Sequence, residues 1–255
     1  MKTLIEIKNL SVIYDTEEDG LGAINDVSLD IYENDFVCIL GPSGCGKSTL
    51  LKTIAGFIRP NKGQVLMNGE PIDGPSDNRG IVFQEPTLFP WFTVKDNIAI
   101  GPKFNKKDPD SIETIVDDYL AQVSLSEYKD AKVFELSGGQ QQRVAIARTL
   151  ANHPDVILMD EPFGALDSLT REKMQRMIRT LWKKNHTTVF FVTHDIDEAL
   201  LLGTKIHVMR KERQSVVKSF DVDYTRRLLE NPDEPVMNEA GFLHLKQSIH
   251  DLLEE

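Results

Sequence analysis

Residues 41–49 read Gly41-Pro42-Ser43-Gly44-Cys45-Gly46-Lys47-Ser48-Thr49. This matches G-x-x-x-x-G-K-[ST], the spacing with which a loop cradles phosphates. Its glycines let the backbone wrap tightly and turn N–H groups inward. Lys47 is then placed to reach the β- and γ-phosphates of a nucleotide, and Ser48 to put its hydroxyl on Mg²⁺. A second constellation is Asp160-Glu161, which closes the apolar run 156–159. An aspartate there suits Mg²⁺, usually through water. The adjacent glutamate suits orienting and deprotonating a water, a general-base role that typically contributes ~10²–10⁴-fold. A third is Ser137-Gly138-Gly139-Gln140 after Leu136. Ser137 with Gln140 forms a capping box in its own right. Two glycines suit a helix's first turn poorly, unless backbone must approach another group closely. A helix N-terminus with bare N–H groups and a serine hydroxyl is an anion site.

These residues need strands and helices to position them. The apolar run 36–40 predicts a buried strand feeding the loop, and residues 48–56 predict the helix after it, with Gly56 near its end. Alternation over 4–14 and a strand-like run over 24–31 predict antiparallel strands in front, the first with one wet face, and residues 64–69 a strand ending in an Asn-Gly turn. Thr93 and Asp108-Pro109 read as the starts of two helices, and Ser137 opens a third through about residue 151. Further on, strands over 156–159 and 187–193 alternate with helices over 171–184 and 196–202, then short strands over 206–209 and 216–220. That alternation implies a mostly parallel sheet with ligands at the carboxyl ends of its strands. Gln84, Asp160, Glu161 and His194 all follow predicted strands, as the glycine loop does.

The chain has 255 residues, 40% hydrophobic and 27% charged, enough for one large domain with a core. A net charge of −11 argues against a broad nucleic-acid surface and against docking onto anionic lipid. No apolar run approaches a membrane span, and charge stands too early for a signal peptide, so work at a membrane requires a partner. Cys38 and Cys45 are read as reduced thiols of a cytosolic protein, because a disulfide there would distort the loop.

In this order and context the motifs resemble those of the ATP-binding subunit of an ABC transporter, over about residues 4–220. Residues 41–49 match Walker A, Gln84 the Q-loop, Leu136–Gln140 the signature, residues 156–161 Walker B, residues 165–167 the D-loop, and His194 the switch histidine. The resemblance implies an α/β fold: a P-loop NTPase core with a mostly parallel sheet, an N-terminal antiparallel β subdomain and an inserted α-helical subdomain at about 86–150. An acidic helical tail, 221–255, follows the ATPase domain, 1–220. The implied ligands are ATP and Mg²⁺, the metal held through Ser48, Gln84 and Asp160. Glu161, His194, Gln84 and Lys47 form the hydrolytic set. Two copies would pack head to tail when ATP binds, each signature (Ser137, Gly138, Gly139, Gln140) covering the other's phosphates and Asp167 coupling the sites. Tyr14 falls where an aromatic stacks on adenine; the lesser alternative is a half-buried strand tyrosine.

Residues 86–98 and 193–202 resemble the nitrate, sulfonate and taurine importers within that group. This implies integral membrane permease subunits as partners at the cytoplasmic face, and an extracytoplasmic solute-binding protein beyond them. Phe89, Trp91 and Phe92 would line a groove for the permease, or else belong to the helical core. Rival readings are a DNA-repair and a translation ATPase. The first expects a long coiled coil between residues 48 and 160, where no sustained heptads occur, and the second usually carries two cassettes in one chain. Cys45, beside Lys47 and the phosphates, is expected to favour its thiolate and to react with thiol reagents.

Overall fold

The computed structural model describes residues 2–13 and 23–254; Tyr14 lies outside the described residues. Two sheets form. β1 (Thr3–Val12), β2 (Ile24–Tyr32), β4 (Lys62–Met67) and β5 (Glu70–Pro71) make an antiparallel sheet in the order β2-β1-β4-β5. Asn68 and Gly69, both at positive φ, turn β4 into β5, as the Asn-Gly pair predicts. The second sheet runs β10 (Ser215–Asp221), β9 (Lys205–Arg210), β3 (Phe36–Leu40), β8 (Thr188–Thr193), β7 (Val156–Asp160) and β6 (Arg79–Val82). All its neighbours are parallel except β10 on β9.

The all-apolar strands have a simple cause: both faces of the parallel sheet are covered. In β3, Phe36, Cys38 and Leu40 join one core, while Val37 and Ile39 join the other. β7 and β8 divide likewise: Ile157, Met159, Val189 and Phe191 face the first core, and Val156, Leu158, Phe190 and Val192 the second. The second core is filled by α1 (Lys47–Ile54), whose Leu50, Leu51 and Ile54 are wedged between the two sheets. Against the opposite face pack the remaining helices. α2 (Val94–Phe104), α3 (Pro109–Gln122) and α4 (Gly138–Leu150) are inserted between β6 and β7. Thr93 caps α2 by accepting from Asp96 N–H, and Asp108 caps α3 by accepting from Ser111 N–H. α5 (Ser168–Asn185) follows β7, and α6 (Ile196–Leu202) follows β8.

The acidic tail is built into this core. It forms α7 (Tyr224–Glu230) and α8 (Ala240–Glu254). Phe242 and Ile249 are fully buried in the first cluster, and Phe242 meets Tyr224 edge-on at 5.1 Å between centroids. Lys246 bonds Asp197 of α6 at 2.7 Å. Phe242→Ala should therefore lower stability by ~3–5 kcal/mol in urea unfolding, where a free tail would leave the midpoint unchanged.

Candidate functional site

Parallel register brings the motifs level. Leu40 pairs with Thr193, Val192 with Asp160, and Met159 with Val82. The segments that leave these strands therefore emerge along one edge: the glycine loop, His194, Glu161 and, two residues past β6, Gln84.

The loop passes into α1 through Gly46, whose φ of 103° only glycine adopts readily. A Cβ there would stand 2.2 Å from the Ala23 carbonyl oxygen, so space as well as conformation excludes a side chain. Lys47 is only 4% exposed. Its Nζ donates to the Gly41 carbonyl at 2.8 Å and to the Pro42 carbonyl at 2.9 Å, and lies 3.6 Å from Glu161 Oε1. The other carboxylate oxygen of Glu161 meets His194 Nδ1 at 2.8 Å. Glu161 is a non-glycine residue at φ 45°, a conformation that costs ~1–3 kcal/mol. It is held there from both sides, its N–H donating to the Val192 carbonyl and its carbonyl accepting from Gly164 N–H. One step back, Ser48 Oγ donates to Asp160 Oδ1 at 2.8 Å. Thus the structure gathers Lys47, Ser48, Asp160, Glu161 and His194 into one bonded set. Gln84 joins its edge: a Cβ on Gly164 would come 3.1 Å from Gln84 Nε2.

The donor set fits ATP and Mg²⁺. Ser48 and Asp160 present hydroxyl and carboxylate oxygens, the hard ligands Mg²⁺ takes. Among the described residues there is no group of three or more His, Cys, Asp or Glu that could hold a metal.

Ser137–Gln140 lie outside the bonded set. Ser137 N–H donates to Gln140 Oε1 at 2.9 Å and Gln140 N–H to Ser137 Oγ at 3.4 Å, completing the capping box of α4. The two glycines differ. A Cβ on Gly139 would be 2.8 Å from Thr170 Cγ2, so close packing on α5 explains it; a Cβ on Gly138 would meet nothing within 4 Å. Among the described residues, space does not require glycine at 138. Asp167 caps α5, accepting from Thr170 N–H at 3.0 Å, and hydrogen bonding from Thr170 holds its carboxyl below the usual range.

Phe89, Trp91 and Phe92 pack on one another at 5.6–6.1 Å between centroids, outside the buried core, with Trp91 66% exposed. Buried Asn97 pins the chain here, accepting from Phe89 N–H and donating to its carbonyl. Beside the cluster lies a groove of about 480 Å³ lined by Phe57, Phe83, Phe89, Ile100 and Arg148. Sequence reading overlooked the residues that hold the segment after β6. Gln142 donates to the Phe83 carbonyl at 3.1 Å, and Arg148 to the Thr87 carbonyl at 2.7 Å. Gln142 was findable: it shares a helical face with Ala145, Ile146 and Thr149, where a polar residue requires a partner.

Cys45 corrects an expectation. Its side chain is fully buried, against Gly41, and burial pushes the thiol up, outweighing the nearby Lys47 charge. Thiol reagents should leave Cys45 unmodified in the folded protein and titrate both thiols in guanidinium. Fast reaction of Cys45 under native conditions would contradict this.

Comparison with known proteins agrees with the geometry. Residues 24–164 match the ABC transporter family. The chain is 42% identical over 248 residues to the taurine import ATP-binding protein TauB of Jannaschia sp., covering 97% of this chain and 92% of that one. It is 40% identical to an uncharacterized ABC transporter ATP-binding protein of Methanocaldococcus jannaschii, covering 100% and 93%. Among solved structures, cbiO1 of Clostridium perfringens, part of the ABC transporter complex cbiONQ, superposes with TM-score 0.80 at 28% identity over 99% of each chain. The cassette MJ0796, a dimer bound to ADP and Pi, superposes with TM-score 0.75 at 34% identity, over 86% of this chain and 99% of that one. Strand order, loop geometry and likeness along the whole chain lead to one conclusion: this chain belongs to the ABC transporter family, as an ATP-binding subunit.

Proposed function

We propose that the chain hydrolyses ATP at the edge built by Lys47, Ser48, Asp160, Glu161 and His194, and thereby powers import of a small sulfonate such as taurine through a separate membrane permease. The observation that carries the substrate class is 42% identity to a taurine import protein over nearly the full length of both chains. Among the described residues no helix is long and apolar enough to cross a membrane. The chain would therefore be held at the cytoplasmic face by the permease, for which the groove beside Phe89 and Trp91 offers a seat. We assign the ATPase domain to residues 1–220, its helical part to about 86–150, and the helical tail to 221–255.

Each role follows from position. Lys47 and the loop N–H groups bind the phosphates, the lysine as a point charge at the β- and γ-positions. Ser48, Asp160 and Gln84 would hold Mg²⁺, which when bound would supply charge neutralisation on the phosphoryl group. Glu161 accepts a proton from the attacking water at a carboxylate oxygen. His194 orients that carboxylate through its Nδ1 contact. Gly138, where a Cβ would meet no described residue within 4 Å, suits close approach by a second copy. In a head-to-tail dimer Ser137, Gly139 and Gln140 would complete the partner's phosphate site.

Two experiments test this reading. Glu161→Gln should retain ATP binding, cut turnover by ~10²-fold or more, and accumulate an ATP-bound dimer on size exclusion; unchanged turnover would refute the assignment. Deletion of the chain in its host should abolish uptake of radiolabelled taurine. Intact uptake, with loss of a different solute, would overturn the substrate while keeping the ATPase.

A further inference from the structure

Arg171 stands at the start of α5, and none of the roles above uses it. Its Nη2 donates to the Leu166 carbonyl at 3.1 Å. Its Nη1 lies 3.9 Å from Asp195 Oδ2, and its Nε 3.5 Å from Glu198 Oε1. One guanidinium therefore touches both the segment before α5, which carries Asp167, and the turn after β8, which carries His194.

The second contact is the more constrained. The Glu198 side chain is only 8% exposed. Thr193 Oγ1 donates to its Oε2 at 2.7 Å and accepts from Asp195 N–H at 3.0 Å. Asp195 Oδ1 in turn accepts from Glu198 N–H at 3.1 Å. These three bonds close beneath His194, whose ring reaches Glu161. Burial pushes the Glu198 carboxyl up, while the Thr193 hydroxyl and Arg171 draw it down. Both helices keep their own caps without Arg171: Asp167 serves α5 and Asp195 serves α6. The guanidinium is thus a tie between two loops, beyond what either helix needs to begin. The guanidinium donates to the Leu166 carbonyl while its delocalised charge lies against Glu198 and Asp195 at ion-pair distance, without a hydrogen bond from its Nε, whereas an ammonium is a compact point charge that lacks this planar reach.

We propose that Arg171 is a positioning residue that makes the segment bearing Asp167 and the turn bearing His194 move as one unit, through Leu166 and Glu198. This rests on the roles given to Glu161 and His194 above. A displacement of the His194 turn would misdirect Glu161 without disturbing the phosphate loop, so turnover should change while nucleotide binding does not.

The test is steady-state hydrolysis by the full-length chain, with ATP binding measured separately. Arg171→Gln should lower kcat by ~10–100-fold, the scale expected for a misplaced catalytic group, and leave KM and ATP affinity within about three-fold. Arg171→Lys should not restore kcat. Glu198→Gln, nearly isosteric, should reproduce the loss of kcat, and the double variant should be no worse than Arg171→Gln alone. Unchanged kcat, full rescue by lysine, or additive losses would each overturn the proposal. Should Arg171→Gln fail to fold, Glu198→Gln alone carries the test by the same split between kcat and KM. Glu161→Gln is assayed in parallel. If it retains turnover, the underlying assignment of the base has failed; if it loses turnover while Arg171→Gln does not, only the tie is refuted.

Discussion

A buried lysine ammonium sets the terms for the rest of this structure. Lys47 is nearly inaccessible, and an ammonium taken from water without partners is too costly to persist. Here the Gly41 and Pro42 carbonyls and Glu161 surround it. Two of those acceptors belong to the loop's own backbone, so the loop must curl around the amine. Curling so tightly requires Gly46 at positive φ beside the Ala23 carbonyl. The third acceptor comes from the end of a strand two places away in the sheet, so the loop's charge balance depends on correct parallel pairing.

That pairing is secured by the two cores. Because successive side chains of β3, β7 and β8 point alternately into separate apolar clusters, a one-residue slip would exchange the residues of both cores at once. Register is therefore specified from two sides. The pairing of Leu40 with Thr193 and of Asp160 with Val192 follows from it, and with it the contacts of Ser48, Glu161 and His194. The strained backbone of Glu161 is sustained by the same framework, because its N–H continues the ladder onto Val192.

The signature segment shows how far one chain can explain its own residues. Gly139 and the Ser137–Gln140 capping box have complete explanations in packing and helix termination. At Gly138 a Cβ would meet nothing within 4 Å among the described residues, so packing there does not call for glycine. The solved cassette MJ0796, 34% identical, is itself a dimer.

Much of the fold and of the candidate site is legible in the sequence. Loop, strand and helix around Lys47 follow from glycine spacing and an apolar run, and α6 and the capped starts of α2, α3 and α4 follow from local hydrogen-bonding chemistry. Such features depend on neighbours a few residues apart, which is what a sequence records. Three matters lay beyond it. The exposure of Cys45 depended on whether its side chain turned toward the phosphate side or back against Gly41, a choice made by packing beneath the loop. The acidic tail read as a helix that packs or interacts, with its apolar residues interspersed; the surface it packs on, α6 and β9, was set only by the fold, which buries Phe242 and Ile249. The tie from Arg171 to Leu166, Asp195 and Glu198 spans segments some thirty residues apart, and no periodicity marks it. The sequence by itself determined the chemistry of the site and the elements that carry it, because those are local. Tertiary structure alone decided which charges share a partner and which thiol is shielded, because burial and pairing are properties of the packed chain.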